Sequence, residues 1–307
     1  MSVSGVKHSN KIHETRVDRV FNGVVYFLII LLLIIFIYPL WFVLMASVSD
    51  PTYVNSGTPL LWPMGFTTMG YNRVFADNRI WIGYANTILY AGLGMVVSTM
   101  VQVMAGYSLS RRDLPGRGIF MGLFVFTMYF GGGLSPFYLV VKQLNLVNSR
   151  ILMIILGCSS VYNIIIARSF FTSSLPVELY EAASIDGCTN QRYFFSIVLP
   201  LSKAIIAVIA LYALVAQWNS YFNAMIFLTD RNKYPLQLYL REILLAAKTY
   251  EDASMVGGDV EAAAQMEKMG EVIKYGVIVV STLPVIVVYP FLQKYFVQGV
   301  MIGSIKG

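Results

Sequence analysis

The stretch LPVELYEAASIDGCTNQRYFFSIVLPLSK, residues 175–203, decides the fold. Pro176 and Glu178 are typical of the first turn of a helix, and apolar residues at helical spacing follow until Gly187. Glycine ends a helix readily because it adopts positive φ without a steric cost. A second short helix is predicted from about residue 190 to 197, ending before the next proline. The stretch therefore predicts two short helices that are joined at a glycine and followed directly by an apolar segment.

Composition places this stretch in a membrane protein. The chain has 307 residues, of which 57% are hydrophobic and 12% charged, and its mean hydropathy is +0.66. Soluble domains carry about 25% charged residues. Six long intervals contain no charged residue, and all but one hold the roughly 20 apolar residues that a spanning helix needs. The exception begins at Ile151 and reaches this length if the side chain of Arg168 extends to the interface.

The chain is therefore predicted to be an all-α polytopic membrane protein with six transmembrane helices. The predicted spans cover residues 24–46, 82–107, 119–141, 151–172, 204–227 and 275–295. An even number of spans places both termini on one side of the membrane. Four Lys or Arg residues precede the first span, and three arginines lie between Arg111 and Arg117. The positive-inside rule therefore predicts that both termini are cytoplasmic.

The remaining segments follow from these spans. Residues 1–23 form a cytoplasmic tail and an interfacial elbow helix, and residues 298–307 form a second cytoplasmic tail. Residues 172–203 form a cytoplasmic loop, and residues 230–272 form an extracytoplasmic loop long enough to be expected to contact a partner. The net charge of +6 is explained by loops that face an anionic lipid leaflet, so membrane lipid is expected as a partner and nucleic acid is not.

The spacing within the opening stretch resembles a known motif. Glu181-Ala182-Ala183, Asp186-Gly187 and Leu199-Pro200 are similar to the EAA loop of ABC importer permeases, although Cys188 stands where that family usually has a smaller residue. An ordinary interfacial helix would explain Glu-Ala-Ala alone but not the combined spacing. The resemblance implies a type I ABC importer fold, MetI/MalG-like, and implies that seven residues couple the chain to an ATPase. These are Glu181, Ala182, Ala183, Asp186, Gly187, Leu199 and Pro200.

Further motifs extend the resemblance over nearly the whole chain. They are Asn86-Thr87, Arg111-Arg112, the Gly-Gly-Gly-Leu-x-Pro at 131–136, Trp218-Asn219, Tyr234-Pro235-Leu236 and the glycine-rich tail from Gly299. Together they resemble carbohydrate permeases, in particular the LplC-like or YtcP-like branch related to the MalG maltose permease. The resemblance implies a homologous second permease, two ATPase subunits and an extracytoplasmic solute-binding lipoprotein. It also implies a multi-pass protein of the bacterial plasma membrane that holds no cofactor itself, with ATP and Mg bound by the partner subunits.

Polar and aromatic residues in or beside the spans are candidates for a substrate pathway. Amides hydrogen-bond sugar hydroxyls, and aromatic rings cover the apolar faces of sugar rings, although an aromatic belt at the interface has the same composition. Three consecutive glycines and Pro136 predict a break in the third span, either near a pore or as a simple kink or span end. The pathway candidates are Asn86, Tyr129, Gly132, Tyr138, Trp218, Asn219, Tyr221 and Asn223, and those for contact with the binding protein are Tyr234, Pro235, Gln237 and Tyr239.

Motifs that the sequence lacks narrow the function. It contains no Gly-x-x-x-x-Gly-Lys-Ser/Thr to hold ATP phosphates, and no acid/base pair, nucleophile motif or metal cluster, so we expect no catalytic residue and no metal site. We expect a permease subunit that moves an oligosaccharide or a complex glycan fragment. A permease for a non-sugar solute, a secondary transporter and a membrane scaffold are the alternatives. The six charge-free intervals lack the intramembrane acids typical of a secondary transporter, and a scaffold does not explain the motif spacing.

Overall fold

The structure is a computed structural model that describes residues 15–57, 59–254, 270, 273–288 and 290. All regular secondary structure in these residues is helical, which confirms the all-α prediction. The helices are α1 (Arg16–Ala46), α2 (Pro51–Asn55), α3 (Met69–Ala76), α4 (Asn78–Ser110), α5 (Arg117–Tyr129), α6 (Leu134–Gln143), α7 (Arg150–Ile155), α8 (Val161–Ser174), α9 (Val177–Ile185), α10 (Asn190–Leu201), α11 (Lys203–Trp218), α12 (Phe222–Phe227), α13 (Leu236–Ser254) and α14 (Ile273–Val288).

Residues up to Thr68 form one compact unit, which contains the long helix α1. Thr15 caps this helix: its hydroxyl accepts a hydrogen bond from the backbone N–H of Asp18, and the Asp18 carboxylate accepts one from the backbone N–H of Thr15. Most of the large apolar side chains of α1 are exposed, and Ala46 is its one buried residue. A 31-residue helix with such a surface is suited to lipid rather than water. No break separates the predicted elbow helix from the first predicted span in the described residues.

Residues from Met69 onward form a second unit, organised around α4. This helix has 33 residues, so it is about 50 Å long, and it packs against α7, α8, α11 and α13. Its glycines allow close approach. A methyl group added at Gly106 would lie 2.5 Å from the Cβ of Ala167, and one added at Gly94 would lie 2.8 Å from the side-chain nitrogen of Gln217. One helix therefore contacts most parts of this unit.

Three of the predicted spans are interrupted. The fifth, residues 204–227, is predicted as one helix but consists of α11 and α12, which are separated at residues 219–221. Helices α5 and α6 meet at 114° around the three glycines, where Gly133 has a φ of +81°, which confirms the predicted break. The fourth span, residues 151–172, is predicted as one helix but consists of α7 and α8. The single-helix prediction is wrong here because Gly157 adopts a φ of +81° and Ser160 then caps α8 with its side-chain oxygen.

The prediction that the second helix of the opening stretch ends before Pro200 is also wrong. Helix α10 continues to Leu201 through a π turn at Phe194–Val198. Proline lacks the N–H that an α-helical turn requires, and the wider π turn accompanies this loss. The chain then bends by 83° into α11.

The number of membrane spans stays a prediction. In the described residues, α1 and α4 are long and apolar enough to cross a membrane, and up to four spans result if each bent helix pair counts as one. The shorter apolar helix α14 covers much of the sixth predicted span. The end of that span, residues 1–14, residues 255–269 of the long loop and the tail 298–307 lie outside the described residues.

Candidate functional site

The hairpin of α9 and α10 has a defined bend at Gly187. The backbone N–H of Cys188 donates to the carbonyl of Ala183 at 2.9 Å, and that of Gly187 donates to the carbonyl of Ser184 at 3.1 Å. These two bonds form a Schellman motif, which requires the left-handed φ of +71° seen at Gly187. The predicted glycine stop is confirmed. Thr189 then caps α10 by accepting a hydrogen bond from the N–H of Arg192.

The two faces of α9 have different surroundings. Ala183 is buried in a core cluster that also contains Val103 of α4 and Phe194 of α10. Glu181 and Ala182 are exposed, and so is Ile185, with 86% of its surface accessible. The Glu-Ala-Ala motif is thus divided between the interior and an outer face. That face combines a carboxylate, a small residue and an apolar residue, which suits coverage by a partner. Of the other motif residues, Leu199 packs against the same core, whereas Asp186 and Pro200 are exposed.

Arg111 joins the end of α4 to α9. Its guanidinium lies 3.9 Å from the centre of the Tyr180 ring, its Nε donates to Asp113 at 2.8 Å, and its Nη1 donates to the Tyr107 hydroxyl at 3.2 Å. Hydrogen bonding to Arg111 lowers the pKa of the Asp113 carboxyl and that of the Tyr180 hydroxyl. The sequence pointed to Arg111 as a topology signal and as part of the Arg111-Arg112 motif, but nothing in the local sequence reveals its contact with a residue 69 positions away.

A cavity of about 450 Å³ lies at the interruption between α7 and α8. Its lining is neutral: the described lining residues combine hydroxyl and amide side chains with apolar surface and include no charged side chain. The lining residues are Ser98, Gln102, Leu156, Gly157, Ser160, Tyr162, Asn163, Tyr212, Ala213, Ala216, Gln217, Ser220 and Asn223.

Amide side chains hold the interrupted backbone beside this cavity. Gln102 donates from Nε2 to the carbonyls of Gly157 and Cys158 at 3.4 and 3.2 Å, and Gln217 donates to the carbonyl of Leu156 at 2.7 Å. A helix break in a membrane requires such donors, because the freed carbonyls have no water to bind. Asn163 donates to Gln102 Oε1 at 2.9 Å. Gln102 and Asn163 were not predicted from the sequence, although a polar residue inside a charge-free interval indicates a binding site or a hydrogen bond between helices.

Two predicted pathway residues, Asn86 and Trp218, make hydrogen bonds within the chain. Asn86 is buried, and its Nδ2 donates to the carbonyls of Asn232 and Tyr234 at 2.8 and 3.0 Å. Trp218 is also buried, and its Nε1 donates to the carbonyl of Ser281 at 3.1 Å. Neither side chain lines the cavity.

Three predicted pathway residues lie at the end of α11 and in the turn and helix that follow it. Asn223 lines the cavity. Asn219 does not; its Nδ2 donates to the carbonyl of Val215 in its own helix at 2.9 Å. The ring of Tyr221 lies 5.6 Å from the Arg241 guanidinium. Within the run from Gln217 to Asn223, some residues therefore line the cavity, whereas others lie at the helix end or on the surface.

The other three predicted pathway residues lie near the break between α5 and α6. Tyr129 is 75% exposed, and Gly132 has open space around it. Tyr138 stacks on Phe227 with ring centres 5.9 Å apart. None of the three lines the cavity, so the break is separate from it.

The residues predicted to contact a binding protein mostly pack within the chain itself. Pro235 and Tyr239 are buried, and the Tyr239 hydroxyl donates to the carbonyl of Arg231. Tyr234 is half-buried against a core cluster, and Gln237 is partly exposed. Hydrogen bonds hold this segment on α4. The N–H of Leu236 donates to the Thr87 hydroxyl at 2.8 Å, beside the bonds from Asn86 to the carbonyls of Asn232 and Tyr234.

The chain is similar to proteins of known type along most of its length. It is 37% identical over 290 residues to the polygalacturonan/rhamnogalacturonan transport system permease protein YtcP of Bacillus subtilis, covering 94% of this chain and 99% of that protein. It is 35% identical over 295 residues to the protein LplC of the same organism, covering 96% and 98%. No protein-family model matches the chain.

A solved structure has the same fold. A chain in the crystal structure of a bacterial ABC transporter involved in the import of the acidic polysaccharide alginate aligns with a TM-score of 0.79 and 32% sequence identity. The alignment covers 93% of this chain and 100% of that one.

Proposed function

The chain belongs to the permease family of carbohydrate ABC importers, and on that premise we propose that it is one of two permease subunits that move an oligosaccharide or glycan fragment into a bacterial cell. The substrate class is supported by the relatives, whose names specify polygalacturonan, rhamnogalacturonan and alginate. Its second permease is a homologous chain, and a solute-binding lipoprotein delivers the sugar from outside.

The α9 hairpin is the observation that carries this proposal. Its outer face, with Glu181, Ala182 and Ile185, docks on an ATPase subunit, while Ala183 fixes the helix to the interior. Gly187 and Asp186 set the bend, and the residues Leu199 and Pro200 connect the hairpin to α11. ATP and Mg²⁺ are bound by the two ATPase subunits, since this sequence contains no phosphate-binding loop.

Helix α4 supports a transmembrane arrangement of these parts. Asn86 holds the segment around Asn232, and Arg111 holds α9. At about 1.5 Å per residue these two positions on α4 are about 37 Å apart, which exceeds the roughly 30 Å hydrocarbon core of a bilayer. In our proposal the hairpin and both termini are cytoplasmic, and the loop 230–272 faces the binding protein, through Gln237 and the part of the loop beyond α13.

Uptake by the reconstituted transporter tests the proposal. Proteoliposomes that contain this chain, its partner permease and the ATPase subunits are given binding protein and labelled trigalacturonide or arabinotriose, with and without internal ATP. We expect uptake of an oligosaccharide that requires ATP and stops when this chain is omitted. Uptake driven by an ion gradient without ATP would indicate a secondary transporter, and ATP-driven uptake of amino acids or peptides alone would indicate a non-sugar permease.

A further inference from the structure

Ser202 lies at the bend between α10 and α11, and its hydroxyl has no partner. The residue is 0% exposed, and in the described part of the chain Thr99 Oγ1 and Ser202 Oγ are the two buried side-chain polar atoms without a hydrogen bond. Val198 and Ile205, on either side of Ser202 in the sequence, are buried apolar residues of one core cluster. Buried hydroxyls are normally paired, because an unpaired one has lost its bonds to water without compensation. A second conformation in which Ser202 is paired would account for this hydroxyl.

Ser202 occupies a position at which serine usually forms a hydrogen bond. It is the N-cap of α11, and an N-cap serine ordinarily accepts a bond from the second or third backbone N–H of its helix. Such bonds are made by the other Ser, Thr and Asp residues at N-caps of the described helical segments, which are Thr15, Asp50, Asp77, Ser149, Ser160, Thr189 and Asp230. Among these N-caps of the described residues, only the side chain of Ser202 makes no capping bond.

One backbone torsion separates Ser202 from the capping geometry. The seven capping residues have ψ between 109° and 165°, whereas Ser202 has a ψ of 20° and a φ of −107°. The Ser202 N–H donates to the carbonyl of Leu199, and the Ser202 carbonyl accepts from the N–H of Ile206, both at 3.1 Å. These two bonds lie on opposite sides of the ψ torsion, so its rotation breaks neither. Rotation from 20° to at least 109° would bring the Oγ toward the first N–H groups of α11 and would change the 83° bend.

The elements on the two sides of Ser202 are each attached to other helices. On one side, α9 and α10 are held together, since the rings of Tyr180 and Tyr193 pack edge to face with their centres 5.3 Å apart. On the other side, α11 packs against α4, and Gly94 of α4 allows the side chain of Gln217 to approach closely. A change of ψ at Ser202 would therefore alter the angle between the hairpin and α11 rather than bend either one. The core cluster shared by the two sides must then repack, so the change needs a force on the hairpin.

We propose that Ser202 is a two-state hinge: its hydroxyl is unpaired in the conformation described here, and in a second conformation it caps α11 by accepting the backbone N–H of Ala204 or Ile205. The inference rests on the proposed function, because an ATPase subunit docked on α9 supplies the force, and it deepens that function by assigning the change of angle to one residue. Hinges are residues at the ends of elements that absorb a large change in φ or ψ. The capping bond favours the second conformation because it exists only there.

Distances between two spin labels detect the second conformation. Nitroxide labels are placed at Gln191 of α10 and Tyr212 of α11, both exposed, after Cys158 and Cys188 have been replaced by serine. The complete transporter in lipid nanodiscs is measured by pulsed electron resonance without nucleotide, and again with ATP, vanadate and binding protein loaded with trigalacturonide or arabinotriose, whichever is imported in the uptake experiment. We expect a second distance in the trapped sample. One unchanged distance overturns the inference while ATP-driven uptake persists, whereas absence of such uptake contradicts the proposed function instead.

Ser202→Ala distinguishes a hinge from a fixed bend. The ratio of the second population to the first should fall roughly 2- to 30-fold, as for one lost N-cap bond. The thermal unfolding midpoint of the nucleotide-free transporter should stay the same or rise, because no bond is lost in that conformation. Thr189→Ala is the matched control: its hydroxyl already caps α10, so the midpoint should fall and the ratio should not change. An unchanged ratio in Ser202→Ala, or a lower nucleotide-free midpoint, overturns the inference.

Discussion

The guanidinium of Arg111, just beyond the end of α4, lies 3.9 Å from the centre of the Tyr180 ring in α9. The same guanidinium is paired with Asp113 and bonded to Tyr107. The cation–π contact places α9 against the end of the helix that also lines the cavity, and the ion pair with Asp113 holds the guanidinium in place. In our proposal, a displacement of α9 by an ATPase subunit would reach α4 through this direct contact.

Arg111→Lys is expected to weaken this transmission. A lysine cannot keep the planar stack on Tyr180 and the forked contact with Asp113 together. Loss of about 1 kcal/mol of contact energy should reduce the stimulation of ATP hydrolysis by loaded binding protein by roughly fivefold, while the ATPase subunits stay bound. Arg112→Lys, at the exposed neighbouring position, is the control. Full stimulation in Arg111→Lys would show that the contact has no role in coupling.

Gly187 allows a test of the hairpin bend that is free of steric overlap. Its φ is +71°, and a Cβ added there would meet no atom within 4 Å. Only backbone strain is therefore introduced by substitution, about 1–3 kcal/mol for valine and less for asparagine, which tolerates left-handed φ. We expect Gly187→Val to lower the thermal unfolding midpoint and the stimulated ATPase rate, and Gly187→Asn to retain most of both. Equal values in the two variants would mean that the bend does not depend on this conformation.

Gly106→Ala tests the close approach of α4 and α8. The added methyl group would lie 2.5 Å from the Cβ of Ala167 and 3.0 Å from the backbone nitrogen of Arg168, so the helices must separate. We expect a loss of about 1–3 kcal/mol, seen as a lower thermal unfolding midpoint. Gly92→Ala is the control on the same helix. Because Gly92 has open space around it, this change should be neutral or should stabilise the protein by up to about 1 kcal/mol. The account is wrong on this point if the two variants have the same midpoint.

Thr87 supports the segment that precedes α13. Its hydroxyl accepts the hydrogen bond of the Leu236 N–H at 2.8 Å, and both residues are buried. Thr87→Val keeps the shape of the side chain but leaves that N–H unpaired, so the free energy of unfolding should fall by about 1–3 kcal/mol. Thr127→Val, at an exposed threonine bonded within its own helix, should change it by less than about 0.5 kcal/mol. An equal fall in the free energy of unfolding in both variants would show that the Thr87–Leu236 hydrogen bond does not contribute to stability.

Helix ends and breaks that depend on glycine were predictable from the sequence. Gly187 was predicted to end a helix, and the glycines before Pro136 were predicted to break one, because glycine acts through its own backbone. The break at Gly157 was not predicted, since the charge-free interval had nearly the length of a span, although Ser159 and Ser160 follow the glycine. The sequence predicts that the helix ends before Pro200, whereas the helix continues past it through a π turn.

The cavity required packing information that the sequence does not contain. Gln102 and Asn163 are 61 positions apart and meet only because α4 and α8 pack closely at Gly106. Trp218 and Asn86 are predicted for the pathway from their chemistry, and in the structure both donate to backbone carbonyls inside the chain. Chemistry alone cannot distinguish a side chain that binds a ligand from one that holds the fold.

The docking of α9 on an ATPase subunit is the central claim, and Ile185 is the position at which to measure it. Ile185, 86% exposed, is replaced by the photoreactive amino acid benzoylphenylalanine in cells that also produce the partner permease and the ATPase subunits. Phe36 of α1, which is 68% exposed on an apolar helix, is the control position. We expect irradiation to link position 185 to the ATPase subunit and position 36 to lipid or membrane helices. If position 185 gives no ATPase adduct while the subunits remain assembled, the assignment of α9 as the docking helix is contradicted.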